Sequence, residues 1–161
     1  MRKILKTPEE IINNYQKAIH HLKLANDYKT AGEASLWLAY FYSERGDFEH
    51  SFDPNLNAVK FLKSEVRKKT GSSYLNYLYQ ESLSHLSFLY GAAGDYETAL
   101  NYYRESREFG LTNETGWLFE PEIGESFLNL GQYDSSFTYL KKFKDKASGN
   151  LWEKFFLLDT M

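Results

Sequence analysis

A short turn signature recurs three times in this chain and limits what the chain can fold into. Gly46-Asp47-Phe48, Gly94-Asp95-Tyr96 and Gly131-Gln132-Tyr133 each place an aromatic residue two positions after a glycine. Tyr42, Tyr90 and Phe127 stand four places before the glycine, and Leu38, Leu86 and Ile123 stand eight before it. Intervals of four and eight keep side chains on one helical face. Glycine then ends the helix, because it accepts a left-handed backbone at little cost. Each signature therefore predicts a helix, a tight turn and a second helix. A unit this small cannot bury its apolar face alone and needs neighbours of its own kind.

The remaining punctuation gives the predicted elements. Thr7-Pro8-Glu9-Glu10 supplies a hydroxyl cap, a first-turn proline and acids at the positive helix end, so a first helix is expected over about 8–28. Ile11, Ile12, Tyr15, Ala18, Ile19 and Leu22 form its stripe. A second helix is expected over 31–45. A third is expected from Asp53, as the cap before Pro54, to about Lys69, because proline breaks a helix that runs through it. Further helices are expected at about 73–92, 96–108, from Pro121 to Gly131, and at 133–146. A break falls at Ser148-Gly149-Asn150, and an apolar eighth helix follows at about 150–160. No stretch alternates as a strand would. The expected class is all-α. Tyr90 is expected to be largely buried between its own hairpin and the next, and Gly94 to be left-handed.

Small residues complete the pattern. Ala39, Ser87 and Gly124 stand seven before the turn glycine, and Ser51, Ala99 and Ser136 five after it. A small residue, an aromatic, a glycine turn and a small residue, in this order, resemble the tetratricopeptide repeat family, whose unit has 34 residues. The middle unit, about 80–113, matches best, and the third, about 117–150, matches well. The first, about 32–70, carries Pro54 inside its expected second helix. The resemblance implies a right-handed α-solenoid of about three helix-turn-helix repeats with flanking helices, forming one domain over 1–161. It also implies a concave groove that binds a protein or peptide.

Composition narrows the function. The chain has 161 residues, a net charge of −3 and no cysteine, which excludes disulfides and thiolate metal sites. That charge gives no global field toward nucleic acid or an anionic membrane. No window approaches the roughly 20 apolar residues of a membrane span, and the expected location is cytoplasmic. Aromatics reach 17%, enough for a large core without covalent staples. Glu81 and His85 share a helical face at i and i+4, but two ligands are too few for a metal site. The basic runs at Lys63–Lys69 and Lys141–Lys146 suit helix C-terminal ends without invoking phosphate. No spacing selects a catalytic set, and no cofactor is expected.

In stacked repeats the first helix of each pair lines the groove. Trp37, Tyr40 and Glu44, then His85 and Phe88, then Glu122, Glu125 and Asn129 fall on that face. The expected groove is aromatic at one end and acidic at the other, suited to a peptide with apolar anchors and some basic character. The alternative is that these aromatics pack against adjoining helices. Family members that hold a chaperone C-terminal carboxylate use Lys, Arg and Asn there, so that activity is not carried over. The first expectation is a non-catalytic binding module. The second is a segment of a larger signalling or regulatory protein whose output domain lies elsewhere. A helical enzyme is the third. The tail Leu151 to Leu158 is apolar on more than one side, which suggests continuation into a further repeat or a homodimer through that face.

Overall fold

The protein is described here by a computed structural model covering residues 7–68, 72–108 and 120–150. Among these residues the secondary structure is entirely helical: α1 (Pro8–Leu24), α2 (Tyr28–Ser43), α3 (Phe48–Val66), α4 (Ser73–Ala92), α5 (Tyr96–Glu108), α6 (Glu120–Asn129) and α7 (Tyr133–Asn150). The eighth predicted helix, Trp117 and Phe119 lie outside the described residues.

All three turn glycines adopt positive φ, at 74°, 83° and 72° for Gly46, Gly94 and Gly131. Around each, the same two backbone bonds close the preceding helix. Gly46 N–H donates to Ser43 and Asp47 N–H to Tyr42; the pairs Gly94–Gly91 and Asp95–Tyr90, and Gly131–Leu128 and Gln132–Phe127, repeat them. This is the Schellman pattern of a left-handed C-cap. A fourth copy ends α1, where Asn26 takes φ 56° and Asp27 N–H donates to Leu22. Asparagine tolerates that region better than most residues, so α1 stops at Leu24 and α2 starts at Tyr28 instead of 31. Asp27, Asp47 and Asp95 each accept a backbone N–H three residues on, from Thr30, His50 and Thr98. The turn thus ends one helix and caps the next.

Two further helix boundaries differ from expectation. Pro54 lies inside α3, and Asp47, not Asp53, is its N-cap. Proline removes one intrahelical bond, but His50 and Asp53 are exposed, so water can reach the freed carbonyl on that side. The packing of α3 between α2 and α4 outweighs the loss. At the other end, α7 runs through Ser148 and Gly149 to Asn150, because a small residue weakens a helix without ending it.

The helices pair in order, α2 on α3, α4 on α5 and α6 on α7, and each pair packs on the next. First helices also meet laterally, α2 with α4 and α4 with α6, while α1 packs on α2. Leu36, Ala58, Leu62, Leu75, Leu78, Tyr79 and Leu83 form one buried cluster across α2, α3 and α4. Leu100, Tyr103, Ile123 and Phe127 form a second across α5 and α6. Each buried Leu, Ile or Phe side chain among them contributes about 1.5–3 kcal/mol. Tyr90 departs from expectation. It is half-buried, with its ring between Phe52 of α3 at 5.1 Å and Tyr102 of α5 at 5.4 Å, so it packs toward the preceding hairpin.

The small positions close the hairpins. Ser51 Oγ donates to the Ala39 carbonyl at 2.8 Å, and Ser87 Oγ donates to the Ala99 carbonyl at 2.8 Å. The serine stands on the second helix in one hairpin and on the first in the other, yet makes the equivalent bond. In the third hairpin Gly124 allows Leu140 so close that an added Cβ would stand 2.7 Å from its Cγ.

Candidate groove on the first helices

Trp37, His85 and Glu122 stand nine places before their turn glycine, and Tyr40, Phe88 and Glu125 stand six before. The shared register puts them on the lateral face where α2, α4 and α6 meet. Their surroundings differ sharply.

On α2 and α4 the face is filled. The Tyr40 and His85 rings stack at 4.3 Å between centroids, and Phe88 lies nearly parallel to His85 at 6.2 Å. Tyr40 Oη donates to Glu81 Oε2 at 2.9 Å. Burial, reinforced by the Glu81 charge, pushes the Tyr40 hydroxyl far above its usual range. Burial also raises Glu81, against the opposing hydrogen bond from Tyr40. His85 is only 6% exposed, and burial lowers its pKa to about 4, so the ring is neutral at pH 7.

Its tautomer follows from the neighbouring hydroxyls. Ser51 gives its proton to the Ala39 carbonyl, and Ser43 Oγ donates to Ser51 Oγ at 2.9 Å. His85 Nε2, 2.9 Å from Ser43 Oγ, must then be the donor. Nδ1 is left as a buried acceptor with no partner among the described residues. Glu81 and His85 are thus engaged with Tyr40 and Ser43, not turned toward a shared metal.

Trp37 and Phe88 remain open at 49% and 37% exposure, and Phe48 meets Phe88 edge to face at 5.6 Å. Beyond Phe88 a cavity of about 200 Å³ opens between α4, α5 and α6. Ser87, Phe88, Gly91 and Ala92 line one side, Glu122, Glu125 and Ser126 the other, and Tyr96 joins them from α5. Glu122 as a residue is exposed, yet crowding around its carboxyl, more than the nearby Glu125 charge, raises its pKa.

The candidates therefore separate. Phe88, Glu122 and Glu125 come together at the cavity, and Trp37 flanks the aromatic strip. Tyr40 and His85 form the floor: Tyr40 Oη and His85 Nε2 are engaged within the protein, and His85 Nδ1 is buried. Glu44 is exposed at the end of α2, and nothing among the described residues ties its side chain to the cluster. Asn129 is also exposed, and its amide donates to the Glu125 carbonyl, outside the cavity lining. Sequence reasoning missed Ser43, Glu81 and Tyr96 as parts of the face. Glu81 was visible as the i−4 neighbour of His85, but its partner Tyr40 is 41 residues away. That offset recurs: Tyr74 Oη donates to Glu33 at a separation of 41, and Ser43 meets His85 at 42. A search for polar pairs one hairpin apart would have found all three.

No family model matches the chain, and no curated protein does. Among solved structures, the crystal structure of BtubC (BKLC) from P. vanneervenii is similar, with a TM-score of 0.62 and 15% sequence identity. The likeness covers 89% of this chain and 58% of that one, so this chain spans little more than half its length. At that identity the likeness concerns the fold alone.

Proposed function

We propose that the chain is a tetratricopeptide-like α-solenoid of about three repeats that binds a peptide segment without catalysis. The groove runs along the first helices, and its ligand carries an apolar anchor followed by a basic side chain. The observation that carries this reading is the cavity between α4, α5 and α6, where Phe88 and Tyr96 meet Glu122 and Glu125. Its volume of about 200 Å³ is below the roughly 300 Å³ at which small-molecule pockets begin. It suits one long side chain, whose stem lies along the rings and whose cationic head meets the carboxylates. The open Trp37 and Phe88 rings beside it offer the aromatic surface that binding hot spots favour.

An array of peptides that varies one aromatic and one Lys or Arg position, read by the fluorescence of the labelled peptide, tests this. Selective capture of peptides with both features is expected, together with at least about a tenfold loss for Phe88→Ala or for Glu122→Gln with Glu125→Gln. Equal binding of neutral and basic peptides would exclude the cavity as the anchor site.

A further inference from the structure

The face that borders the cavity continues along α4. Tyr74, Tyr77, Glu81, His85 and Phe88 follow one another at three or four places, so they share one side of the helix. Contacts with α2 recur along it at an offset of 41 residues, Glu33 with Tyr74 and Tyr40 with Glu81. Trp37 lies between those two contacts in sequence, which sets it opposite the turn from Tyr77 to Glu81. Trp37 and Tyr77 are both open, at 49% and 51%, and the Trp37 ring lies 5.9 Å from that of Tyr40.

Glu81 is half-buried on this face. Its Oε2 accepts from Tyr40, but Oε1 accepts no bond among the described residues and, unlike the sealed polar atoms of Asn55, Gln80 and His85, keeps contact with solvent. No Lys or Arg pairs with Glu81 among the described residues. α4 and α6 contain no Lys or Arg, whereas α3, α5 and α7 mix both signs. A carboxylate in partly apolar surroundings favours a cation beside it, and aromatic rings present their negative faces to the same group.

One turn back along α4, the chain supplies such a cation itself. Lys29 Nζ lies 5.7 Å from the centre of the Tyr74 ring, and the Tyr74 hydroxyl donates to Glu33 at 2.6 Å. Ring, carboxylate and ammonium therefore meet at Tyr74. At Trp37 and Tyr77 the chain provides rings and a carboxylate but no basic side chain of its own.

We propose that Trp37, Tyr77 and Glu81 form a second subsite, which takes an arginine side chain of the same peptide; this rests on the peptide groove proposed above. A guanidinium stacks on an open ring while its N–H groups donate to Glu81 Oε1, a combination that a compact ammonium matches poorly. The fold also sets the spacing. Residues 87–92 of α4 border the cavity and residues 77–81 the second subsite, so their centres lie about 15 Å apart along the helix. The cavity sits one helix further across, a step of about 9 Å, which makes about 17 Å in all. Extended chain at about 3.3 Å per residue covers that in five to six residues. Alternate side chains face one way, so the second arginine stands six positions from the basic anchor.

Fluorescence anisotropy with labelled extended peptides tests this. Each carries an aromatic residue and Arg as the anchor, and either Arg or the neutral isostere citrulline two or six positions away, on either side. In one direction, Arg at six positions should bind about tenfold more tightly than citrulline there, and Arg at two positions should give no gain. Tyr77→Ala changes an exposed position, and Glu81→Gln keeps an acceptor for Tyr40 Oη, so both variants should keep the melting temperature. Each should abolish the gain from the second Arg and leave the binding of the single-Arg peptide unchanged. Equal binding of the Arg and citrulline peptides, or a gain that survives both substitutions, would overturn the second subsite while leaving the cavity as the anchor. Failure of the single-Arg peptide to bind would overturn both.

Discussion

His85 and Glu122 occupy the same place in successive hairpins, yet one is sealed and the other lines an open cavity. Around His85 two aromatic rings and a hydroxyl fill the space between α2 and α4. Around Glu122 the facing α4 positions are Ser87, Gly91 and Ala92, which are too small to fill it. Register decides which face a residue joins, and the size of the side chains opposite decides whether that face becomes floor or pocket. The closed half holds the stack together, and the open half leaves a cavity beside Phe88.

The largest effect expected from this contrast is on stability. His85→Ala should cost about 3 kcal/mol in urea unfolding, as buried aromatic truncations do. Glu122→Ala at the equivalent place should cost less than about 0.5 kcal/mol, the usual range for surface changes. Equal costs would mean that the two halves do not differ.

Acid should divide the halves in the same way. The folded pKa of His85 is depressed from 6.5 to about 4. The neutral ring therefore contributes stability that is present above 6.5 and lost as pH falls through that window, about 3 kcal/mol in full. Glu81 acts in the opposite direction: its raised pKa gives a share present at low pH and lost as pH rises. Between 6.5 and about 4 the difference between the native chain and His85→Gln, which keeps Glu81, therefore isolates the His85 share. Unfolding free energies measured at several pH values should slope there in the native chain and flatten in His85→Gln.

Glycine contacts offer a smaller comparison. A Cβ on Gly32 would stand 2.6 Å from the Leu62 Cγ, and one on Gly124 would stand 2.7 Å from the Leu140 Cγ. Leu62 is fully buried in the first cluster, while Leu140 is open enough to swing aside. Gly32→Ala should destabilise by about 1–2 kcal/mol through overpacking. Gly124→Ala should be near neutral, because the gain in helix propensity, about 1 kcal/mol, offsets the shift of Leu140. Thermal melts of the two variants will check the order.

The smallest effect on stability belongs to the open half. Trp37→Ala combined with Glu125→Gln should move the melting midpoint little while weakening peptide capture. If the pair unfolds the protein, those side chains are structural and the proposed groove fails.

Local chemistry was written plainly in the residues. Glycine at 46, 94 and 131 had to take a left-handed turn, and the apolar residues four and eight places before it had to share a helical face, so three hairpins could be read from spacing alone. Asn26 hid a fourth turn because asparagine reaches the same backbone region less often than glycine does. Pro54 misled for the opposite reason. A strong local breaker was outweighed by the packing of α3 against two neighbours, and packing energy is a property of the assembled fold. The candidate face was legible as a register, since Trp37, His85 and Glu122 fall at one offset from their glycines. Which of them would be buried was not. That depended on contacts between residues about 41 positions apart, such as Tyr40 with Glu81. Helical periodicity is a property of neighbours along the chain, whereas the filling of a gap depends on whichever side chain arrives from the next hairpin. Only the tertiary structure brings those together.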